Sequence, residues 1–260
     1  MNTNVFGRIG LDFMRACDSI REKYSEKSWF SQETSMDLSP ILQTLKHCHI
    51  KEHFSLYAYP PENDSMSVPY ALYGNLTPLN PKKYPGIRCD EELPEWCLPI
   101  DDAFEVDDCP EGVWEAFLLW DLPRHLPCVQ HGAYGMRDLF LDLDTYDSFA
   151  CLSQFIDKES GEIVEDKVQS FLKEIEGKTG YHQIRGYQSK EDLQMALALR
   201  GCPLLLPKVN MGAYRMYVTF WTPWTGLSRE TIKITRRDNT YGFLSRNCES
   251  IAQYWWGITI

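Results

Sequence analysis

Residues 123–136 read PRHLPCVQHGAYGM, and residues 203–216 read PLLLPKVNMGAYRM. At an offset of 80, eight of these 14 positions are identical. Widening the comparison to 111–146 against 191–226 retains 13 identities in 36, where ordinary composition gives about two or three by chance. Each copy reads helix, Pro, Leu-Pro, Gly-Ala-Tyr, strand, hairpin, with a further helix clear only after the first. The unit is about 75 residues, longer than a typical solenoid repeat. The expected fold is therefore α+β. It comprises two pseudo-symmetric helix–strand–hairpin units, residues 111–187 and 191–260, behind an N-terminal helical and proline-rich acidic segment, residues 1–110. All three are expected in one compact body.

The shared residues read as architecture. Gly132 and Gly212 suit a positive φ or a close approach. Pro127 and Pro207 fix the path into the loop, and Tyr134 and Tyr214 suit core positions with a bonded hydroxyl. Specialised chemistry is sought instead where the copies differ. His131 aligns with Met211, Asp142 with Thr222, Asp144 with Trp224 and Asp121 with Gly201. Lys208 and Arg215 are the basic counterparts in the second copy.

Outward from the repeat, hydrophobic spacing predicts a helix over 8–26, with Ile9, Phe13, Cys17, Ile20 and Tyr24 on one face. Ser39-Pro40 begins a second helix running to about His47. Phe54–Tyr59 reads as a strand. Residues 60–110 hold nine of the 15 prolines, which predicts irregular structure. Val113–Trp120 reads as helix, Asp138–Thr145 as a strand, and Cys151–Val164 as a hairpin. A helix is expected over Glu165–Glu176 and another capped by Ser189. Tyr214–Thr222 and Thr231–Leu244 read as strands, the latter turning at Asp238-Asn239.

The charge is segregated. Residues 89–123 contain 12 acids and no Lys or Arg, whereas the whole chain carries −11. Residues 200–246 carry eight Lys or Arg against Glu230 and Asp238. Aromatic residues are interleaved with the acids. An acidic surface with aromatic anchors suits a basic protein partner, with charge steering encounter and buried rings supplying affinity. The residues expected to carry this are Trp96, Asp101, Asp102, Phe104, Glu105, Asp107 and Asp108. The competing expectation is that the acids dock on the chain's own basic region. Asp101–Asp108 is rich in oxygen ligands, but it lacks the spacing and central Gly of an EF-hand loop.

Nine cysteines, an odd number without Cys-x-x-Cys, argue for reduced thiols and a cytoplasmic setting. No run of apolar residues suggests a membrane span, and no leader pattern opens the chain. Overall acidity argues against general nucleic-acid binding.

Two motifs suggest a metal-dependent hydrolase or transferase instead. His49-Ile50-Lys51-Glu52-His53 fits His-x-x-Glu-His, which on a helix would place His49 and His53 one turn apart on zinc, with Glu52 as base. Leu139–Thr145, an apolar run ending in Asp142-x-Asp144, resembles the first motif of haloacid-dehalogenase-type phosphatases. It lacks the Gly-Thr that follows there. The same Asp-x-Asp is similar to the paired carboxylates of nucleotidyltransferases, without their Gly-Ser. Neither set is complete. The expected function is thus a non-enzymatic intracellular binding protein of inhibitor or immunity type, with no cofactor.

Overall fold

The computed structural model describes residues 3–25, 35–59, 67–74, 76, 96–126, 137–176, 186–187, 189–222 and 225–255. The chain opens with helix α1 (Val5–Ser25), strand β1 (Met36–Asp37) and a single helical turn, α2 (Ser39–Leu42). Next come β2 (Cys48–Ile50), β3 (Phe54–Tyr59), β4 (Val68–Tyr73) and β5 (Cys97–Pro99). One turn of helix, α3 (Ile100–Ala103), leads into β6 (Phe104–Val106) and the long helix α4 (Pro110–Asp121). The remainder is β7 (Asp138–Leu139), α5 (Leu143–Phe149), α6 (Glu165–Glu176), β8 (Gly186–Tyr187), α7 (Lys190–Leu199) and strands β9–β13. These last are Lys208–Asn210, Arg215–Thr222, Gly226–Arg237, Thr240–Ala252 and Tyr254–Trp255.

The elements form a four-stranded sheet ordered β1-β3-β4-β5 and a five-stranded sheet ordered β12-β11-β10-β7, in which β9 also pairs with β10. Two short pairs, β2–β6 and β8–β13, are the remaining strand pairs among the described residues. Each pairing is antiparallel. The larger sheet buries alternate residues, as period-two patterning requires. Met216, Val218, Ile232 and Ile234 are at most 1% exposed and meet α1 and α4 in the main core. That core joins Phe13, Cys17 and Ile20 of α1 to Trp114 and Phe117 of α4. It thus draws on the N-terminal 110 residues and on the sheet alike. A second cluster gathers α5, α6 and α7 around Phe155, Tyr187 and Trp221.

Helix α4 is the centre of the molecule. Cys109 caps it, its sulfur accepting from Gly112 N–H, and Pro110 follows at the first turn. Residues 112–119 are all buried, so the helix is covered on every side. The acidic stretch therefore contains the most enclosed helix of the fold.

The structure agrees with the α+β expectation and with α1, β3, α6, α7 and the β10–β12 run. Ser189 caps α7, accepting from Asp192 N–H at 3.0 Å. Asp238 turns the β11–β12 hairpin at φ +48, a conformation Asp tolerates better than most residues.

Five expectations need correction. The helix at Ser39 ends at Leu42, and its N-terminal amide is met by the Asp37 carboxylate rather than by Ser39 acting as cap. Residues 60–110 are not uniformly irregular, because β4, β5, α3 and β6 lie within them. Asp138–Thr145 is a two-residue strand followed by helix α5, since the Asp142 carboxylate and Thr145 hydroxyl form a reciprocal capping box. Cys151–Val164 holds only the single bridge Ile156–Ile163 around its turn, not a hairpin of strands. Gly212 has no positive φ. Tyr214 has it instead, at +48, and is 49% exposed rather than core. The equivalent residues 127–136, including Gly132, Tyr134 and His131, lie outside the described residues.

The two expected units consequently share only part of their course. Both α4 and α7 run into a 3-10 turn, Leu122–Arg124 and Pro203–Leu205. After the strand, the first continues as α5 and the second as the β10–β12 meander.

Candidate functional site

The acidic stretch divides into a buried part and an exposed ledge. Glu115 is fully buried on α4. Its carboxylate accepts the backbone N–H groups of Lys46 (3.0 Å to each oxygen), His47 (2.7 Å) and Cys48 (2.9 Å). Charge-assisted bonds of this kind are about twice as strong as neutral ones, so Glu115 pins the chain leading into β2 onto α4.

Asp121, also fully buried, anchors a second network. It accepts from Arg124 (2.6 Å), from Arg137 Nε (3.0 Å) and from His125 Nε2 (2.9 Å). Arg137 reaches on to Glu230 of β11, and its guanidinium lies over the rings of Phe117 and Phe220. Burial by itself would raise the Asp121 carboxyl. Arg137, then His125 and Arg124, outweigh it and hold the group well below the usual carboxylate range. At nearby Asp138 burial dominates and raises the carboxyl, although His125 and Arg21 pull the other way.

The ledge is α3 and β6. Asp101, Asp102, Glu105 and Asp107 are exposed in succession. Strand β6 pairs with β2, setting Glu105 opposite His49. Backbone bonds hold the ledge from both sides: Lys51 N–H donates to Ala103, Asp107 N–H to His47, and Val106 N–H to Asn239 in the β11–β12 turn. Asp107 accepts from His47 Nδ1 at 3.1 Å and stands 3.7 Å from His49 Nε2. Local desolvation, then the Asp102 carboxylate, raises the Asp101 carboxyl, with Arg237 opposing. Trp96 is 37% exposed beside Tyr73, itself 50% exposed, at the end of β4 and β5.

Two of the expected partner residues are already engaged by the fold, one by burial and one by bonds at the surface. Phe104 is 4% exposed and packed in the main core, because the alternation of β6 turns it inward while Glu105 faces out. Asp108 is claimed by the chain itself, accepting from Arg236 of β11 and from the Tyr241 hydroxyl at 2.6 Å. Those two donors, Tyr241 first, lower the Asp108 carboxyl. The expected docking of an acid on the basic C-terminal region thus occurs at Asp108, whereas Asp121 shares Arg137, from outside that region, with the acid Glu230. Asp90, Glu91, Glu92 and Glu95 lie outside the described residues.

The metal-dependent alternative finds different geometry. His49 is on strand β2, and Glu52 and His53 form a turn in which His53 has φ +71. The helical spacing that would bring both imidazoles onto one ion is therefore absent. Asp142 caps α5 through Thr145, and Asp144 is exposed in its first turn. Among the described residues no three His, Cys, Asp or Glu side chains are grouped to hold a metal ion. Nor is any described helix long and apolar enough to cross a membrane.

Sequence reasoning missed Glu115, Arg137, His125 and Glu230 as a set of buried polar side chains. The one available signal was charge on an otherwise apolar helix: Glu115 and Asp121 interrupt GVWEAFLLWD. A scan against family models finds no match to the chain, and searches of curated proteins and of solved structures find none either.

Proposed function

We propose that this chain is a non-enzymatic intracellular binding protein that receives a basic protein partner on the α3–β6 ledge. A concrete form is an inhibitor or immunity-type protein that covers the cationic working surface of a nuclease toxin. The observation that carries the reading is the state of the four carboxylates Asp101, Asp102, Glu105 and Asp107. With Glu115 and Asp121 buried, and Asp108 engaged at the surface by Arg236 and Tyr241, these four stay exposed on one segment held by backbone bonds. No Lys or Arg ion pair is formed to them among the described residues. Trp96 and Tyr73 supply accessible rings of the kind that anchor interfaces.

The reading includes an origin by duplication of one α/β unit, with the acidic ledge preceding one copy and the cationic strands in the other. Its support is the pairing of β7 with β10. Leu139 lies opposite Phe220, and Phe140 N–H donates to the Thr219 carbonyl at 3.0 Å. At the offset of 80, Leu139 is equivalent to Thr219 and Phe140 to Phe220. Equivalent segments therefore meet antiparallel about a local two-fold axis.

The test is affinity capture from the native host with the wild-type chain and with an Asp101→Lys/Asp102→Lys/Glu105→Lys variant. The expected result is a basic protein retained at about 0.05 M salt, released near 0.5 M as screening shortens the reach of the charges, and lost in the variant. Retention indifferent to salt and to charge reversal would sink the reading.

A further inference from the structure

The outer face of the larger sheet carries the opposite charge. Its inner residues Met216, Ile232 and Ile234 are buried in the main core, so their neighbours Arg215, Thr231 and Lys233 point outward. Register brings Arg215 opposite Lys233, and Thr231 opposite Asn247. A register shift then falls between Thr231 and Ile232, whose partners are Asn247 and Ser245. Arg246 is the extra residue. A bulge bends its strand and re-aims a side chain, and here Arg246 joins the outward set. Together with Tyr214 these residues line a cavity of about 580 Å³, with no Asp or Glu among the described residues around it.

Tyr214 frames one side of this cleft in an uncommon conformation. It follows a 3-10 turn at Met211–Ala213 and sits at φ +48, left-handed for a bulky side chain. The Asn210 side chain accepts from Ala213 N–H at 3.1 Å, and Ile234 N–H donates to the Tyr214 carbonyl at 2.9 Å. The backbone is thus held on both sides of a ring that remains half exposed.

Three cations, the neutral donors Thr231 and Asn247, and one accessible aromatic ring define the chemistry of the occupant. The cations and donors match phosphate oxygens, and the ring offers a stacking face. The volume lies in the range of small-molecule sites, about 300–1,000 Å³. We infer that this cleft binds a free nucleoside phosphate, with the phosphates on Arg215, Lys233 and Arg246 and the base against Tyr214. A long polyanion fits less well. The chain is strongly acidic overall, and Glu249, opposite Arg229 on the same sheet, closes the cationic strip.

Titration calorimetry on the full chain tests this, with ATP, tripolyphosphate, adenosine and a ten-residue oligothymidylate as separate probes at about 0.05 M salt. ATP is expected to bind at one saturable site, tripolyphosphate more weakly, and adenosine not measurably. Lys233→Ala and Arg246→Ala are exposed changes and should each weaken ATP by roughly tenfold. Tyr214→Gly suits the left-handed backbone, so it should keep or raise the melting temperature while weakening ATP about fivefold. The inference is overturned if ATP shows no saturable binding, if its affinity survives Lys233→Ala/Arg246→Ala, or if the oligonucleotide binds more tightly than ATP.

Discussion

Glu115 shows how much one side chain can decide. Its carboxylate meets three consecutive backbone N–H groups at 2.7–3.0 Å and is fully buried. A glutamine at this position keeps the shape but exchanges one acceptor for a donor that faces the same N–H groups. Hydrogen bonds to charged groups contribute about 1.5–3 kcal/mol each, and a buried unsatisfied group adds a desolvation cost. Glu115→Gln is therefore expected to lower unfolding free energy by about 3 kcal/mol in a urea titration. Loss of less than about 1 kcal/mol would mean that segment 46–48 is held by other contacts. The same residue explains why composition misleads: formally one of 12 acids in a charge run, it is out of reach of any partner at the surface.

Among the elements, α5 is the one whose identity turned on a local contest. Leu139-Phe140-Leu141-Asp142-Leu143-Asp144-Thr145 alternates as a strand does. Yet Asp142 and Thr145 can satisfy the first free amides of a helix, Thr145 N–H donating to Asp142 Oδ1 at 2.8 Å. Thr145 Oγ1 in return accepts from the Asp142 N–H at 3.0 Å. Capping won because β7 has its neighbour β10 for only two residues, too short a pairing to extend the strand. Removing the cap with Asp142→Ala should cost about 1 kcal/mol, read as a shift in the thermal midpoint. The change should leave any metal content unaltered if Asp142 serves only as a cap.

At the scale of the whole molecule, Arg137 is the tie. It joins Asp121 at the end of α4 to Glu230 on β11, packed between the rings of Phe117 and Phe220. Arg137→Met would take the shared cation from two buried carboxylates, leaving Asp121 only Arg124 and His125, a loss on the order of 3–5 kcal/mol. The pH dependence follows from Asp121. Its folded-state pKa is depressed, so its contribution is complete above the ordinary carboxylate range and is lost as pH falls below about 4. Asp138 has the opposite sign, because its raised carboxyl gains a proton more readily in the fold than out of it. Acid unfolding followed by circular dichroism between pH 6 and 2 should therefore be steep in the wild type and flatter in Asp121→Asn. Equal slopes would remove Asp121 as the acid-sensitive group.

The sequence alone determined what local chemistry can decide. Helical spacing marked α1 and α6, Ser189 marked the start of α7, and alternation with Asp238-Asn239 marked the β11–β12 hairpin. The charge segregation, too, was plain in the order of residues. Tertiary structure alone decided which charges matter. Glu115, Asp121 and Asp108 differ from Asp101, Asp102, Glu105 and Asp107 only in what packs against them, and that depends on residues up to 133 positions away. It also decided that Phe104 belongs to the core, that His49 and His53 do not share a helix face, and that a bulge brings Arg246 beside Lys233. Periodicity reports which face of an element is apolar. Partners, register and desolvation arise only when distant segments are brought together.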